Sequence, residues 1–231
     1  MKTQILGFAT LLLATSLFAA DAKEEVTAAA KKLGEKASYS WKTTAVVPEE
    51  VQFKPGPVEG KIEKDGHMHA KLTYGETTTE IVKKGEKAAF TNREGEWQSL
   101  AEVEGQEGRG RFAAFMVRGV RAPSEQAAEI VAGAKELKKE GDAISGDLTE
   151  DAAKSLMRFR RGGDGPAISG AKGSAKFWVK DGVLSKYEFK VSGKMDFNGN
   201  EVDLTRTTTV EVKDVDSTKV EVPEGAKKKL S

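Results

Sequence analysis

The chain has 231 residues, with 37 lysine and arginine side chains against 36 aspartate and glutamate side chains, and its formal net charge at pH 7 is +1. This balance argues against bulk binding to nucleic acid, which requires a concentrated basic surface. The chain contains no cysteine, which excludes disulfides, thiolate metal sites and thiol catalysis, so a folded domain must be held by its hydrophobic core.

Residues 1–22 have the layout of a secretory signal peptide. Lys2 is followed by the apolar run Ile5–Phe18, and alanines stand at the −3 and −1 positions of a cleavage site before Lys23. An apolar run of about fourteen residues is too short to span a bilayer as a helix. The sequence therefore predicts a cleaved signal peptide, a single domain over 23–231, and a periplasmic or secreted protein without a lipid-anchor cysteine. The alternative interpretation is an uncleaved membrane anchor.

The segment after the predicted cleavage site has helical periodicity, and a series of strands follows it. Apolar residues recur at helical spacing between Val26 and Leu33, which predicts a short amphipathic helix over 23–36. Alternating polar and apolar residues then predict strands joined by turns such as Asp65-Gly66, whose residues tolerate the positive φ of a tight hairpin. These predicted strands are 37–47, 58–64, 67–74, 77–83, 87–92 and 96–100.

The middle of the chain is predicted to be helical. A short apolar run covers 111–117, and Pro123 opens a longer helix whose apolar face extends to Leu137. Thr149 is the expected cap of a third helix, which has acidic residues in its first turn. The glycine-rich segment 160–173 is predicted to be a mobile loop.

Strands return after this segment, with a second tight hairpin at Asp181-Gly182. The predicted strands are 174–179, 184–191, 194–197, 202–212 and 218–222. Strands on both sides of a helical insert can form one sheet with the helices on one face. The sequence therefore predicts the α+β class, with a curved antiparallel sheet, or half-barrel, and a helical lid packed in its concave face.

Three segments carry a resemblance to a known family. They are 146–150 (GDLTE), 176–186 (KFWVKDGVLSK) and 214–230, where a last strand leads to a proline. In this order the chain resembles periplasmic lipoprotein carriers of the LolA type and the LppX/LprG-like lipid carriers. Members of this superfamily begin with a helix and a long strand, and a central helical lid closes their half-barrel. The resemblance covers most of the predicted domain and implies an apolar cavity that takes acyl chains.

Two features depart from the pattern of this family. The lipoprotein carriers have an arginine on the first long strand that bonds to the lid and holds the cavity closed, whereas the corresponding strand here has Lys42 and no arginine. LppX-like proteins are anchored to a membrane through a cysteine, which this chain lacks. The resemblance therefore implies binding of acyl chains more directly than it implies lipoprotein transport.

No arrangement of residues indicates catalysis or metal binding. His67 and His69 face the same side of a predicted strand, but no further ligand follows at the spacing of a metal site. We interpret them as polar residues on the solvent face of an edge hairpin. The sequence has no nucleophile elbow, P-loop or dinucleotide fingerprint. It therefore predicts a protein that is not an enzyme and that uses no metal or cofactor.

Seven of the nine arginines lie in the predicted lid. A guanidinium group suits phosphate because it bonds in a two-pronged geometry, so Arg160 and Arg161 are predicted to contact anionic head groups or an anionic surface. The alternative interpretation is surface arginine paired with acids such as Asp164 and Glu125. The seven are Arg109, Arg111, Arg118, Arg121, Arg158, Arg160 and Arg161.

Large apolar side chains of the lid and the sheet are the predicted lining of the cavity, although filling of an ordinary core would use the same residue types. The leading function is an exported carrier or binder of a lipid or other amphiphile, acting without covalent chemistry. A membrane surface or a lipoprotein of the cell envelope is a further predicted partner. The alternative is a structural or protein-interaction module of the cell envelope, with a solid core and no ligand pocket. The predicted lining residues are Tyr39, Trp41, Phe112, Phe115, Met116, Leu156, Met157, Phe159 and Phe177.

Overall fold

The computed structural model describes residues 11–51, 54–104, 109–157, 167–197 and 199–231. Within these ranges one sheet contains eleven strands, and six helices accompany it. The strands are β1 (Ser38–Val46), β2 (Val58–Glu63), β3 (His67–Tyr74), β4 (Thr77–Lys84), β5 (Lys87–Thr91), β6 (Trp97–Ser99), β7 (Lys138–Glu140), β8 (Ala143–Asp147), β9 (Ala167–Lys180), β10 (Val183–Phe197) and β11 (Asn200–Lys213). The helices are α1 (Leu11–Gly34), α2 (Leu100–Val103), α3 (Arg109–Gly119), α4 (Pro123–Ala132), α5 (Glu150–Met157) and α6 (Glu224–Leu230).

The first strand of the chain lies at the centre of the sheet. One edge of β1 pairs with β2 and the other edge pairs with β11. From β2 the sheet continues as a meander to β6, and from β11 it continues through β10, β9 and β8 to β7. The pairings between these strands are antiparallel. The predicted fold class, an α+β domain with a curved antiparallel sheet, is therefore confirmed.

Residues with left-handed backbone conformation form the tight turns of two hairpins. Asp181 and Gly182 have φ angles of 54° and 73° and connect β9 to β10. Gly66, with a φ of 87°, lies in the turn between β2 and β3. Positive φ suits the twist of a hairpin and costs glycine and aspartate less than it costs most residues. The two hairpin turns predicted at these dipeptides are confirmed.

Helices fill one part of the concave face. The apolar side of α1, which includes Val26 and Leu33, is fully buried and packs against α4 and β10. α5 lies across β9 and β10, and its side chain Met157 packs at Gly193, where a Cβ would lie within about 3 Å of the methionine sulfur and methyl group. Burial of each large apolar side chain contributes about 1.5–3 kcal/mol, so this packing holds the helices to the sheet.

The convex face carries a row of alternating charges across six strands. In register order the row consists of Lys186, Glu211, Lys42, Glu59, Lys71 and Glu80. The Lys42 Nζ and Glu59 Oε1 atoms are 2.8 Å apart, and a slip of β2 by two residues would place Lys42 opposite Lys61. Opposite charges on facing residues favour the observed register. The row also keeps the convex face in water, which leaves the concave face to the helices.

α4 is shorter than the sequence predicts. It ends at Ala132, whereas the predicted apolar face extends to Leu137. Gly133 follows the helix, and the backbone N–H of Lys135 then donates to the Asp147 carbonyl at 2.9 Å. The helix thus ends, the backbone after it forms a hydrogen bond with the sheet, and the short edge strand β7 follows.

Two other predictions about elements are wrong. Residues 167–173, predicted as part of a mobile loop, form the beginning of β9 and pair with β10. Residues 218–222, predicted as a strand, belong to no strand, because the backbone N–H of Val220 donates to the Glu63 carboxylate at 3.0 Å instead of to a backbone carbonyl.

A helix that the sequence pattern does not predict covers part of the convex face. Ala226 of α6 is fully buried against Val82 and Ala89. Trp97 packs so closely on Gly225 that a side chain at this position would overlap with the indole ring. This small apolar cluster lies on the side of the sheet that is otherwise charged, and it shields the strands next to the edge strand β6.

α1 begins at Leu11 and continues without interruption past the predicted cleavage point before Lys23. The division of the chain at this point stays a prediction. Within the described ranges, no helix combines the length and the apolar character needed to cross a membrane.

Substitution of Gly60 tests how β1 packs against β2. A Cβ at position 60 would overlap with the indole ring of Trp41. We therefore expect Gly60→Ala to lower the free energy of unfolding by about 1–3 kcal/mol, measured by urea denaturation. Gly119→Ala is the matched control, because a Cβ there meets no atom within 4 Å, and it should leave stability unchanged or raise it. If Gly60→Ala were as stable as the wild type, the indole ring of Trp41 would not pack against β2.

Candidate functional site

The concave face is buried at one end, which we call the closed end. At the other end it is half exposed over β11, β1, β2 and β3, whereas β10 is buried there. Along β1, Trp41 is only 4% exposed, whereas Ala45, on the same face, is half-buried. The same change occurs along β3 and β11, where Tyr74 and Val202 reach exposures of 37% and 47%. We call the half-exposed region the open end. Its apolar members are Ala45, Val58, Leu72, Leu156 and Leu204.

Strand register places these residues along one continuous surface. Val58 pairs directly with Leu72, and its other neighbour is Thr43 of β1. Ala45 pairs with Thr208 of β11. Side chains that alternate along a strand share a face, so Leu204 and Thr208 project to the same side. The open end is therefore an apolar strip that crosses β11, β1, β2 and β3.

A half-buried arginine lies beside this strip. Arg206 is on the same face of β11 as Leu204, at the point where β1 has ended, because Val46 pairs with Thr207. Its Nη2 atom donates to the Leu156 carbonyl at 2.6 Å, in the last turn of α5. Burial lowers the pKa of Arg206 from its ordinary value. A guanidinium group at a helix C-terminus satisfies a carbonyl that has no partner within the helix.

This arginine was not among the predicted functional residues, although the family resemblance includes an arginine that bonds to the lid. In this protein the arginine that bonds to a helix over the concave face comes from the last long strand, whereas the first long strand carries Lys42 on its convex face. One sequence signal could have identified it. Arg206 interrupts the alternation Val202, Leu204, Thr208 and Val210 with a charged residue on the inward side.

At the closed end, a polar layer fixes the junction between α3 and α4 over the sheet. The Tyr39 hydroxyl lies 3.2 Å from the Ser124 hydroxyl, and the Tyr187 hydroxyl donates to the side-chain oxygen of Gln126 at 2.7 Å. Lys83 Nζ donates to the Val120 carbonyl at 2.5 Å. Burial raises the pKa of both tyrosines and lowers the pKa of Lys83 to about 8. These bonds provide partners for polar groups that would otherwise destabilise the core.

Four of the predicted lining residues are packed in the core. Tyr39, Trp41, Met157 and Phe177 are each at most 4% exposed. The ring of Phe177 stacks on Tyr187 with centroids 6.3 Å apart. These side chains fill the space between the sheet and the helices. Their contact with a ligand stays a prediction.

The other predicted residues divide between half-buried positions and positions outside the described ranges. Leu156 belongs to the open end, and Phe115 and Met116 of α3 are half-buried. The side chain of Phe112 lies outside the described part of the chain, as do residues Phe159, Arg160 and Arg161. Their predicted roles as lining and head-group residues stay predictions.

Two of the arginines in the predicted lid form ion pairs. Arg118 bonds to Glu104, and Arg121 makes a two-pronged pair with Glu129. For these two the structure agrees with the alternative interpretation, in which they are surface arginines in salt bridges. The side chains of Arg109 and Arg111, and the residue Arg158, lie outside the described part.

The two histidines pair with carboxylates on the convex side of the sheet. His67 Nδ1 lies 2.6 Å from an Asp65 oxygen, and His69 Nε2 lies 2.8 Å from a Glu80 oxygen. The prediction that their hairpin is at an edge is wrong, because β3 lies between β2 and β4. Among the described residues, no group of three or more histidine, aspartate or glutamate side chains is arranged to hold a metal ion.

Two open clefts lie outside the apolar core. The larger, of about 530 Å³, is bounded by charged residues of the convex face, such as Lys42, Glu59 and Lys71, and by the segment after β11. The smaller, of about 350 Å³, lies between the end of α1 and the β9–β10 turn. Both have polar, charged linings, which suit an acyl chain less well than the open end does.

No protein-family model matches the chain, and no curated protein matches its sequence. The fold is similar to that of the lipoprotein LppX of Mycobacterium tuberculosis, with a TM-score of 0.52 over 88% of this chain and 99% of LppX, at 12% identity. LprF of Mycobacterium bovis matches with a TM-score of 0.46 over 90% of this chain and 98% of LprF, at 11% identity. At such identities the likeness to LppX concerns the fold alone. It confirms the LppX-like fold that the sequence resemblance implies.

Lys83 should make the stability of the protein depend on pH. Because burial lowers its pKa from 10.5 to about 8, the unfolded chain binds this proton more tightly than the folded protein does. The free energy of unfolding should therefore rise between pH 8 and about pH 10, whereas below pH 8 both states are protonated and the contribution is constant. With allowance for partial exposure to solvent, we expect a rise of about 1–2 kcal/mol.

Lys83→Met is the matched variant for this measurement, because it keeps most of the side-chain volume and removes the titrating amine. The difference in unfolding free energy between wild type and variant cancels the ionisation of the buried tyrosines. Urea denaturation at a series of pH values should show this difference changing in favour of the wild type as the pH rises. A difference that stays constant over the window would show that Lys83 titrates normally.

Proposed function

We propose that this protein is an exported carrier or binder of an amphiphile, and that the apolar part of the ligand lies along the open end of the concave face. The observation that carries this proposal is the change of exposure along the concave face. The apolar surface is fully covered by helices at the closed end and only half covered at the open end. The likeness in fold to the lipoprotein LppX supports it.

The hydrophobic effect supplies the driving force for such binding. Each methylene group moved from water to an apolar surface contributes about 0.8 kcal/mol. The strip through Ala45, Val58 and Leu72 would provide one wall for an acyl chain, and Leu156 and Leu204 would provide another. Binding of this kind needs no nucleophile or metal, so the proposed function is not enzymatic.

Export is part of the proposal and rests on the predicted signal peptide. Lys23, the first residue after the predicted cleavage point, donates from Nζ to the Ala134 carbonyl at 3.1 Å, just beyond the end of α4. Glu25 pairs with Lys139 of β7 at 2.7 Å. These contacts would hold the shortened α1 in place after cleavage. The protein would then act in the periplasm or outside the cell, where a membrane surface or a lipoprotein would be the source or receiver of the ligand.

The half-buried side chains of α3 are the proposed movable part of the binding region. Phe115 and Met116 are less buried than Val117, the neighbouring residue of the same helix. Among the described residues, α3 packs against α2, whereas α5 packs directly on β9 and β10. A helix with few contacts to the sheet opens at a lower free-energy cost. We therefore assign ligand entry to α3 and the fixed wall to α5.

A structural or protein-interaction module remains the second candidate function. The observation that favours it is the dense filling of the closed end, where Tyr39, Trp41 and Phe177 have almost no exposed surface. In that case the half-exposed strip would contact a protein partner. The protein would then bind no amphiphile.

A charge placed in the open end should weaken binding of an amphiphile. We expect laurate and dodecanol to bind the wild type, as measured by isothermal titration calorimetry, and Leu72→Asp to weaken both by at least about tenfold, because the carboxylate would need to be desolvated. Leu72 is only half-buried, so the variant should fold, which circular dichroism checks.

Val46→Asp is the matched control, because it introduces the same charge on the opposite face of the sheet at a position that is 68% exposed. It should bind both ligands as the wild type does. If both variants lost binding equally, the open end would not be the binding site. Absence of binding to the wild type would favour the protein-interaction module.

A further inference from the structure

An open strand edge can pair with a strand from another protein, and this sheet protects several of its edges. The edge strands β6 and β7 have three residues each, and β7 carries the exposed Lys138 and Lys139. Beyond β8, the outer edge of β9 is interrupted by a bulge, where Gly170 has a φ of 59° and the register with β10 shifts. Edges that are short, lysine-bearing or bulged are poor templates for further pairing.

β11 has a longer open edge without a bulge. β1 ends at Val46, opposite Thr207, and Pro48 follows, which has no N–H group to continue the pairing. Among the described residues, no strand pairs with this edge of β11 between 200 and 206. The register of the same residues with β10 is continuous. This edge is therefore regular and long enough to accept a short strand.

Alternate residues of this edge point their backbone groups away from β10. Phe197 and Asn200 close the hairpin between β10 and β11, so they bond to each other, and successive residues of an antiparallel strand bond to opposite neighbours. The N–H and C=O groups of Glu201, Asp203 and Thr205 therefore point outward. Within the described ranges these outward groups have no backbone partner.

The side chains along this edge differ between the two faces of the sheet. Glu201 and Asp203 are exposed on the convex face, where Lys194 pairs with Glu201 at 2.9 Å. On the concave face, Val202 is 47% exposed and Leu204 is half-buried. An added strand would match both faces best with basic and apolar residues in alternation, because facing residues of paired strands contact each other.

We propose that this edge of β11 binds an extended basic segment of a partner protein, which adds a strand to the sheet in line with β1. Basic residues of the segment would face Glu201 and Asp203, and the apolar residues between them would cover Val202 and Leu204. Main-chain hydrogen bonds would supply affinity, and the alternating side chains would supply specificity. This partner goes beyond the proposed function, because the amphiphile would lie on the concave face and not at the edge.

The charges of the edge favour a basic segment over two other occupants. A second copy of the chain would bring the same two acidic residues to the other side of the interface. An anionic membrane surface would be repelled by them. Opposite charges across an interface favour the correct partner, whereas like charges suppress a wrong one.

Two labelled peptides of about seven residues test the proposal, one alternating lysine with valine and the other alternating glutamate with valine. In fluorescence anisotropy at low ionic strength, the wild type should bind the lysine peptide at least about tenfold more tightly than the glutamate peptide. Asp203→Lys should reduce this preference to less than about threefold. Asp142→Lys makes the same change in the exposed turn between β7 and β8, and this matched control should keep the preference.

Thr205→Pro tests whether the backbone of the edge takes part, because it removes an outward N–H group and leaves the charge unchanged. It should weaken binding of the lysine peptide by at least about tenfold. Thr205→Ala keeps the N–H group and should bind the peptide as the wild type does. Circular dichroism checks that both variants fold.

Hydrogen exchange of the wild type, measured by NMR, gives a second test that does not depend on the folding of a variant. The lysine peptide should slow exchange at the outward N–H groups of Glu201, Asp203 and Thr205. It should change exchange little at Val202 and Leu204, whose N–H groups already point to β10.

Equal affinity for the two peptides would overturn the proposal, as would unchanged exchange at the outward N–H groups or full binding by Thr205→Pro. A wild-type dimer in sedimentation velocity that Thr205→Pro dissociates would also overturn it, because the edge would then bind a second copy. Failure of both peptides to bind would reject a basic partner at this edge and leave the proposed binding of amphiphiles intact.

Discussion

The antiparallel pairing of β1 with β11 is the contact on which the rest of the structure depends. These strands lie more than 150 residues apart in the sequence, yet their register is continuous from Ser40 opposite Lys213 to Val46 opposite Thr207. The pairing joins a meander from the first half of the chain to a second set of strands from the second half. Because the helices between them are part of the connection, they must lie against one face of the joined sheet. The concave face and its helical cover are consequences of this one long-range pairing.

The two faces of the sheet then acquire opposite characters. The convex face has facing residues of opposite charge from β10 to β4, which favours one register and discourages a further apolar layer. The concave face has small residues where large ones must fit, as at Gly60 beneath the Trp41 ring and at Gly193 against Met157. Helices cover this face fully only at one end. Strands β9, β10 and β11 are longer than β1 and longer than the helices that cover the sheet. The apolar strip at the other end, and the arginine beside it, result from this difference in length.

Local sequence patterns were sufficient for most strands and hairpins, because tight turns at Asp65-Gly66 and Asp181-Gly182 depend only on residues close in the chain. The central position of β1 could not be predicted in this way, since it results from a pairing between distant segments. α4 was predicted too long because the apolar residues up to Leu137 are buried in the core, although the helix itself ends at Ala132. Arg206 was missed because a charged residue in an alternating strand is normally assigned to the solvent face, although its place in the alternation of β11 puts it on the inward face, as the register shows.

We propose that a ligand lies on the concave face of the sheet at its open end. Cross-linking of a fatty acid that carries a photoreactive diazirine in its chain, with the adducts located by peptide mass spectrometry, would decide this claim. We expect adducts on the strands that carry Ala45, Val58, Leu72 and Leu204, and competition by unlabelled fatty acid. Adducts confined to the charged convex face or its cleft, or labelling that unlabelled fatty acid does not reduce, would contradict the claim.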